Sequence, residues 1–259
     1  MILLCDLDGV VWLAHQPIQG SVEALGRWLV CGHEVVFVTN NSSSTIGEQE
    51  AHLAAIGISS AGRVVSSSTA AGRLVHAGER VLVVGGPGIA EAVKNAGAIV
   101  LGSVERGDAV DVVVVGIDRD FSYAKLTASS AAVRAGARLV ATNHDPTYPT
   151  PAGLTPGGGA IVAAVAYASE TEAIYAGKPQ TMMFDTAMER ASALLGRTAR
   201  KEEVIVVGDR LDSDGVFARN AGVRFCHVRT GVNLQAPAGT ESHADLARVV
   251  DALMAECDG

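Results

Sequence analysis

Short, nearly continuous runs of Ile, Leu and Val recur along the 259-residue chain, with amphipathic stretches between them. The first run, "ILLCDL", gives way to "SVEALGRWLV", where Val22, Leu25 and Leu29 recur at helical spacing and share one face. Ser21 is placed to cap that helix and Gly32 to end it. The run "EVVFVTN", a helix around residues 45 to 56, and "RVVSS" come next. Beyond Lys178, "TMMFDTAMERASALLG" predicts a helix that opens at Thr181 and stops at Gly196, followed by the runs "EVIVVGD" and "VRFCHV". Strands that are apolar throughout, with helices between them, predict an α/β fold whose parallel sheet is covered on both faces. The middle repeats the alternation in "RVLVVGG", "DVVVVGID", "RLVATN" and "PGGGAIVAAVAYASE". These units either extend the same sheet or build a second α/β domain, and no Pro-rich or Ser-rich linker decides between the two.

Composition narrows the function more than the fold. With 48% hydrophobic residues the chain can bury a sizeable core, and its formal charge of −8 argues against nucleic acid or an anionic membrane as partner. A small anionic substrate stays open, because a metal or a local Lys can reverse the field inside one cleft. No segment approaches the roughly 20 apolar residues of a membrane span. Asp6 interrupts the first apolar run and no charged region precedes it, so a secretory leader is not expected and a cytoplasmic location is. Cys5, Cys31, Cys226 and Cys257 are scattered without a CxxC pair, which predicts buried free thiols rather than disulfides or a zinc site.

The stretch "ILLCDLDGVVW" places Asp6 and Asp8 at the end of the first apolar run. In an open parallel sheet ligands bind outside the carboxyl ends of the strands, and the two-residue period points both carboxylates the same way. Two close carboxylates must share a proton or a cation. Taken alone, such a pair is also what an ordinary strand-to-loop turn contains. Three other segments end apolar runs in the same manner. "EVVFVTNN" delivers Thr39 and Asn40, "YAGKP" delivers Lys178, and "VIVVGDRLDSD" delivers Asp209 with Asp212 and Asp214 behind it. Acidic groups, one cation and neutral donors at strand ends form an arrangement for phosphoryl transfer, in which Mg²⁺ offsets the repulsion among the carboxylates.

In order, DxDG, TN, GKP and GDxxxxD resemble the haloacid dehalogenase superfamily of aspartate-nucleophile phosphatases. The middle segments "VVVGIDRDFSYAKL", "ATNHDPTYPT" and "PGGGAIVAAV" resemble its NagD / 4-nitrophenylphosphatase branch. The resemblance implies a Rossmann-like core formed by residues 1–78 and 173–259, with an α/β cap of the C2 type inserted at 79–172. It implies a Mg²⁺-dependent phosphatase acting on small organic phosphomonoesters through an aspartyl-phosphate. Substrates of the 4-nitrophenyl phosphate, phosphoglycolate, sugar phosphate or nucleotide monophosphate type fit that reading. Residue by residue, Asp6 becomes the nucleophile and Asp8 the general acid and base. Thr39, Asn40, Lys178 and Arg210 become phosphate ligands. Mg²⁺ falls to Asp6, the backbone carbonyl of Asp8, and Asp209, with Asp214 behind them. Asn143, His144, Tyr148 and Pro149 fall where the cap's specificity loop is expected. Caps in this branch often pair, which makes a homodimer through the cap an expectation.

Other features carry less. "VVGGPGIAEAV" resembles a dinucleotide fingerprint, but Glu91 occupies the third glycine position, so a strand-to-helix turn accounts for it. "PGGGA" lacks the Lys of a P-loop and reads as a flexible lead-in to a helix. Two other functions compete with the phosphatase. A dehalogenase on the same fold needs neither Asp8 nor a metal. A phosphoacceptor switch also clusters Asp, Thr and Lys, but it accepts one phosphoryl group instead of turning over.

Overall fold

The structure, a computed structural model, describes residues 1–102, 108–150 and 152–257. In chain order its elements begin with β1 (Ile2–Cys5), the hairpin strands β2 (Trp12–Leu13) and β3 (Gln16–Pro17), α1 (Ser21–Val30), β4 (Glu34–Thr39), α2 (Ile46–Ala55), β5 (Val64–Ser66) and α3 (Ser67–Gly72). There follow β6 (Arg80–Val84), α4 (Pro87–Asn95), β7 (Ile99–Leu101), β8 (Val112–Val115), α5 (Tyr123–Arg134), β9 (Arg138–Ala141), the pair β10 (Thr147–Thr150) and β11 (Gly153–Pro156), α6 (Gly158–Ser169) and β12 (Ile174–Tyr175). The last elements are α7 (Met182–Leu195), β13 (Val204–Gly208), α8 (Val216–Ala221), β14 (Arg224–Val228), β15 (Ser242–His243) and α9 (Leu246–Cys257).

Two parallel sheets result. The first has the order β15-β14-β13-β1-β4-β5, and the second β12-β9-β8-β6-β7. The two-residue period of β1 sorts its apolar side chains to opposite faces. Leu3 and Cys5 pack with Trp28, Leu53 and Leu253 on one side. Ile2 and Leu4 join Val36, Met183 and Phe217 on the other. That second cluster also takes in Val81, Val112 and Val114 of the second sheet, so one continuous core ties the sheets together through α3 and α4. The far face of the second sheet packs separately against α5 and α6. Leu4 is wholly buried at the centre, where truncation to Ala costs about 2–5 kcal/mol.

The predicted strands and helices are present, and the choice left open in the middle resolves to a second sheet. Ile174–Tyr175 pairs with β9, so that sheet reaches beyond position 172, where the inserted segment was expected to end. Two local expectations are corrected. Ser21 is the first helical residue and not the cap, because its hydroxyl donates to the carbonyls of Val11 and Ile18 at 2.9 and 2.7 Å; Gly20 holds the cap position. The run Gly157-Gly158-Gly159 is a packing device more than a flexible one. A Cβ on Gly157 or Gly159 would run into the backbone of Asp145 or His144, so only glycine lets α6 lie against that loop. All four cysteines are free, as expected, but Cys31 and Cys257 are exposed where burial was predicted. Among the described residues no helix is long and apolar enough to cross a membrane.

Candidate active site

β1 ends at Cys5, β4 at Thr39 and β13 at Gly208, so their parallel pairing brings Asp6, Asp8, Thr39, Asn40 and Asp209 to one edge of the first sheet. Lys178 arrives from the other direction, three residues after β12 of the second sheet. Its Nζ donates to Asp6 Oδ1 at 2.7 Å, Asp214 Oδ1 at 2.6 Å and the Val38 carbonyl at 3.0 Å. The Lys178 side chain is 2% exposed. Burial favours the neutral amine, but Asp214 and Asp6 outweigh burial and hold it charged.

Carboxylate oxygens of Asp6, Asp209 and Asp214 lie within 4.8 Å of one another, all buried. Burial pushes Asp6 well above the usual carboxylate range, with Lys178 opposing and Asp214 adding to the rise. Burial, with Asp214 again, raises Asp209 to about 7. With all three carboxylates ionised, one ammonium would leave two negative charges for a cation to offset, and that repulsion is part of what raises Asp6 and Asp209. Asp209 Oδ1 is buried with no hydrogen-bond partner, while Oδ2 accepts from the Val232 amide. Asp214, by contrast, has both oxygens engaged, by Lys178 and by the Arg210 amide at 3.0 Å. An orphaned oxygen within a cluster of hard oxygen donors fits Mg²⁺. Gly9 makes the approach of Asp209 feasible. It adopts φ +90°, and a Cβ there would stand 2.7 Å from Asp209 Cγ and Oδ2.

Asp8 is 9% exposed and accepts from Trp12 Nε1 at 3.1 Å and from Tyr148 Oη at 2.8 Å, both on Oδ1. Burial raises it to about 6, and the Tyr148 and Trp12 hydrogen bonds hold it from going higher. The Asn40 side chain is a cross-link: its Oδ1 accepts from the Lys178 amide at 2.9 Å, and its Nδ2 donates to the Lys178 carbonyl, Ser213 Oγ and Asp145 Oδ2. Thr39 Oγ1 accepts from the Asn41 amide. Arg210 is nearly buried, with Nη2 on Asp212 at 3.1 Å and Nε 3.8 Å from Asp145 Oδ1.

The loop after β9 closes over this edge. Asn143 Nδ2 donates to the Asn40 carbonyl at 2.6 Å, and Asn41 Nδ2 to Tyr148 Oη at 3.3 Å. Together they enclose a cavity of about 40 Å³ lined from one side by Asp6, Asp8, Thr39 and Lys178 and from the other by Asn143, Asp145, Tyr148 and Pro149. His144 stands apart: it does not line the cavity, and its side chain is 42% exposed beside the Tyr175 ring. Sequence reasoning missed Trp12 and Asp145. The signal for Asp145 was available, because "ATNHD" closes β9 with the Thr-Asn pair that also closes β4.

The haloacid dehalogenase-like hydrolase profile matches residues 3–99, and a second profile of the same group matches 175–255. An acid sugar phosphatase of Staphylococcus epidermidis is 32% identical over 89% of this chain and 86% of its own length. The chain belongs to the haloacid dehalogenase-like hydrolases. Within that family it is NagD-like, as the middle segments predicted. D-glycerol 3-phosphate phosphatase of Mycobacterium tuberculosis is 38% identical over 89% of this chain, which spans 63% of that relative's length. A solved glycerol phosphate phosphatase from that organism, in complex with magnesium, superposes with TM-score 0.81 at 35% identity, covering 96% of this chain and 75% of the other. A p-nitrophenyl phosphatase from Archaeoglobus fulgidus gives TM-score 0.84 at 25% identity, covering 97% and 98%.

Proposed function

We propose that this hydrolase is a Mg²⁺-dependent phosphatase of small organic phosphomonoesters that works through a phosphorylated Asp6. The observation that carries the reading is the buried set of Asp6, Asp209, Asp214 and Lys178 in one cavity, with Asp8 two residues beyond the nucleophile. Phosphatase relatives that bind magnesium or act on glycerol and sugar phosphates support it.

With Oδ1 held by Lys178, the second oxygen of Asp6 is the one placed to attack phosphorus. A P–O bond to Asp6 forms as the ester P–O bond breaks. Asp8, protonated, gives its proton to the departing alkoxide, which leaves as an alcohol. Ionised Asp8 then takes a proton from water as that water attacks phosphorus, which frees Asp6 and returns the proton to Asp8. Lys178, Thr39, Asn40 and Arg210 orient the phosphoryl oxygens, and the charge of Lys178 favours the ionised form of Asp6 against the effect of burial. Asp6, the Asp8 carbonyl and Asp209 would hold Mg²⁺, which supplies charge neutralisation and polarises the phosphoryl group. Asp214 keeps Lys178 and the Arg210 backbone in register.

In this reading the segment from 79 to 172, together with β12, is the cap, and the loop from 142 to 148 is the part that excludes water. The enzyme acts in the cytoplasm on small molecules, and its copies pair through the cap. A panel of phosphorylated metabolites assayed with Mg²⁺ and with EDTA tests the function. Repeated, EDTA-sensitive phosphate release supports it, whereas uptake of a single equivalent, or none, contradicts it.

A further inference from the structure

At the edge of the first sheet, β14 and β15 bring together a thiol, an imidazole and a carboxylate that do not line the catalytic cavity. Cys226 is wholly buried on β14, while Glu241 and His243 stand two residues apart where the chain enters the edge strand β15. Parallel pairing sets Val228 opposite His243, and the two-residue period turns Cys226, Glu241 and His243 to one face. One ligand atom from each lies within 4.8 Å of the other two. His243 Nε2 is 3.1 Å from Glu241 Oε1. Nothing in the cysteine spacing points to this set, because its members come from two neighbouring strands.

Hydrogen bonds alone leave the cluster out of balance. Arg224 is shared by Glu241 and Glu256, at 2.7 Å to each, so one guanidinium faces two carboxylates. A divalent cation that converts the thiol to a thiolate brings that sum to zero. The spacing suits such an ion, since tetrahedral bonds of about 2.0–2.3 Å put ligand atoms roughly 3.3–3.8 Å apart. The donors also choose the ion. Sulfur and nitrogen suit Zn²⁺, whereas Mg²⁺ takes oxygen. Burial raises the Cys226 thiol to about 12, with Glu241 adding to the rise. Only an ion that binds sulfur strongly therefore displaces the thiol proton, which passes to solvent.

We propose that Cys226, Glu241 and His243 form a Zn²⁺ site, separate from the catalytic metal, whose fourth ligand is water from the partly exposed side. The ion clips the two-residue strand β15 to β14. The His243 carbonyl accepts from the Arg229 amide, so the clip also steadies the start of the loop whose Val232 amide reaches Asp209. This site stands independently of the phosphatase reading.

The test adds Co²⁺, a spectroscopic stand-in for Zn²⁺, to the protein in excess Mg²⁺. Cys257 Sγ lies 3.9 Å from His33 Nε2 and offers a second thiol–imidazole pair, so Cys31→Ser/Cys257→Ser serves as the parent. One equivalent of Co²⁺ should give a thiolate-to-cobalt charge-transfer band in the near ultraviolet, and one equivalent of Zn²⁺ should erase it and raise the Tm. Cys226→Ser should lose the band. Groups that merely orient a metal ligand are typically worth about 10- to 100-fold in affinity. His243→Gln should therefore weaken Zn²⁺ binding at least about tenfold, with the metal-free Tm unchanged. A folded parent without the band overturns the proposal, as does a band that outlives Cys226→Ser. Unchanged Zn²⁺ affinity in His243→Gln overturns it too, and this edge-strand variant decides the matter if Cys226→Ser fails to fold.

Discussion

The phenol of Tyr148 donates a 2.8 Å hydrogen bond to Asp8 Oδ1, joining the loop after β9 to the residue that follows β1. The two lie 140 positions apart in the chain. The bond ties the protonation state of the proposed general acid to a side chain of that loop. Burial raises Tyr148 itself above the ordinary phenol range, and ionised Asp8 raises it further, so the phenol stays a donor at any working pH.

The sign of the Asp8 shift sets a pH profile. Its carboxyl is raised to about 6 by burial, and it must be protonated to assist departure of an alkoxide. For an alkyl phosphate, kcat/KM should therefore fall about tenfold per pH unit above roughly pH 6. The Tyr148 bond favours ionised Asp8, so Tyr148→Phe should move this alkaline limb to higher pH. A limb that stays in place or moves down would separate it from Asp8.

Asp8→Asn should slow alkyl phosphate hydrolysis by about 10²- to 10⁴-fold, the range for lost acid–base catalysis. Phosphorylation by 4-nitrophenyl phosphate should suffer less, because its leaving group hardly needs a proton. Single-turnover measurements with both esters check this, and equal losses would count against Asp8 as the acid.

The carboxylate cluster predicts metal-linked stability. Mg²⁺ should raise the Tm of the wild-type protein, since at about 100 times its Kd a ligand adds about 2.7 kcal/mol. Asp209→Ala should lose most of that shift and require much more Mg²⁺ for activity. Calorimetry with and without EDTA, and a Mg²⁺ titration of turnover, give the two readouts. An unchanged titration would place the metal elsewhere.

Gly9→Ala tests the packing around Asp209. The backbone at Gly9 is left-handed, and the added methyl would meet Asp209 Cγ and Oδ2 at 2.7 Å. The strained conformation alone costs of order 1–3 kcal/mol. Urea unfolding should show at least that loss, together with weaker Mg²⁺ binding. A variant as stable and as metal-responsive as the wild type would contradict the described geometry.

How much could be read from the chain follows from the reach of each interaction. Asp6, Thr39 and Asp209 were legible because each ends a run so apolar that only a buried strand accommodates it, and parallel pairing brings such ends to one edge. Lys178 was legible as a strand-end cation. Its strand pairs with β9 in the second sheet, though, a partner that no local pattern announces. The Asn40 cross-link, the Trp12 and Tyr148 donors on Asp8 and the position of Asp145 depend on how the 142 to 148 loop and the β2–β3 hairpin dock. Those contacts are set by tertiary packing. Ser21 shows the same limit on a small scale: a serine at a helix start reads as a cap, but two nearby carbonyls compete for its hydroxyl and win.

The central claim is that Asp6 carries the phosphoryl group. Rapid mixing with a phosphomonoester and Mg²⁺, an acid quench and mass spectrometry of the peptides test it most directly. The account predicts a phosphoryl adduct on the peptide containing Asp6 in the wild type. It predicts neither adduct nor turnover in a folded Asp6→Asn variant, whose amide is isosteric with the carboxylate but cannot form the acyl phosphate. Wild-type peptides without an adduct, together with near-normal hydrolysis of 4-nitrophenyl phosphate by folded Asp6→Asn, would contradict it.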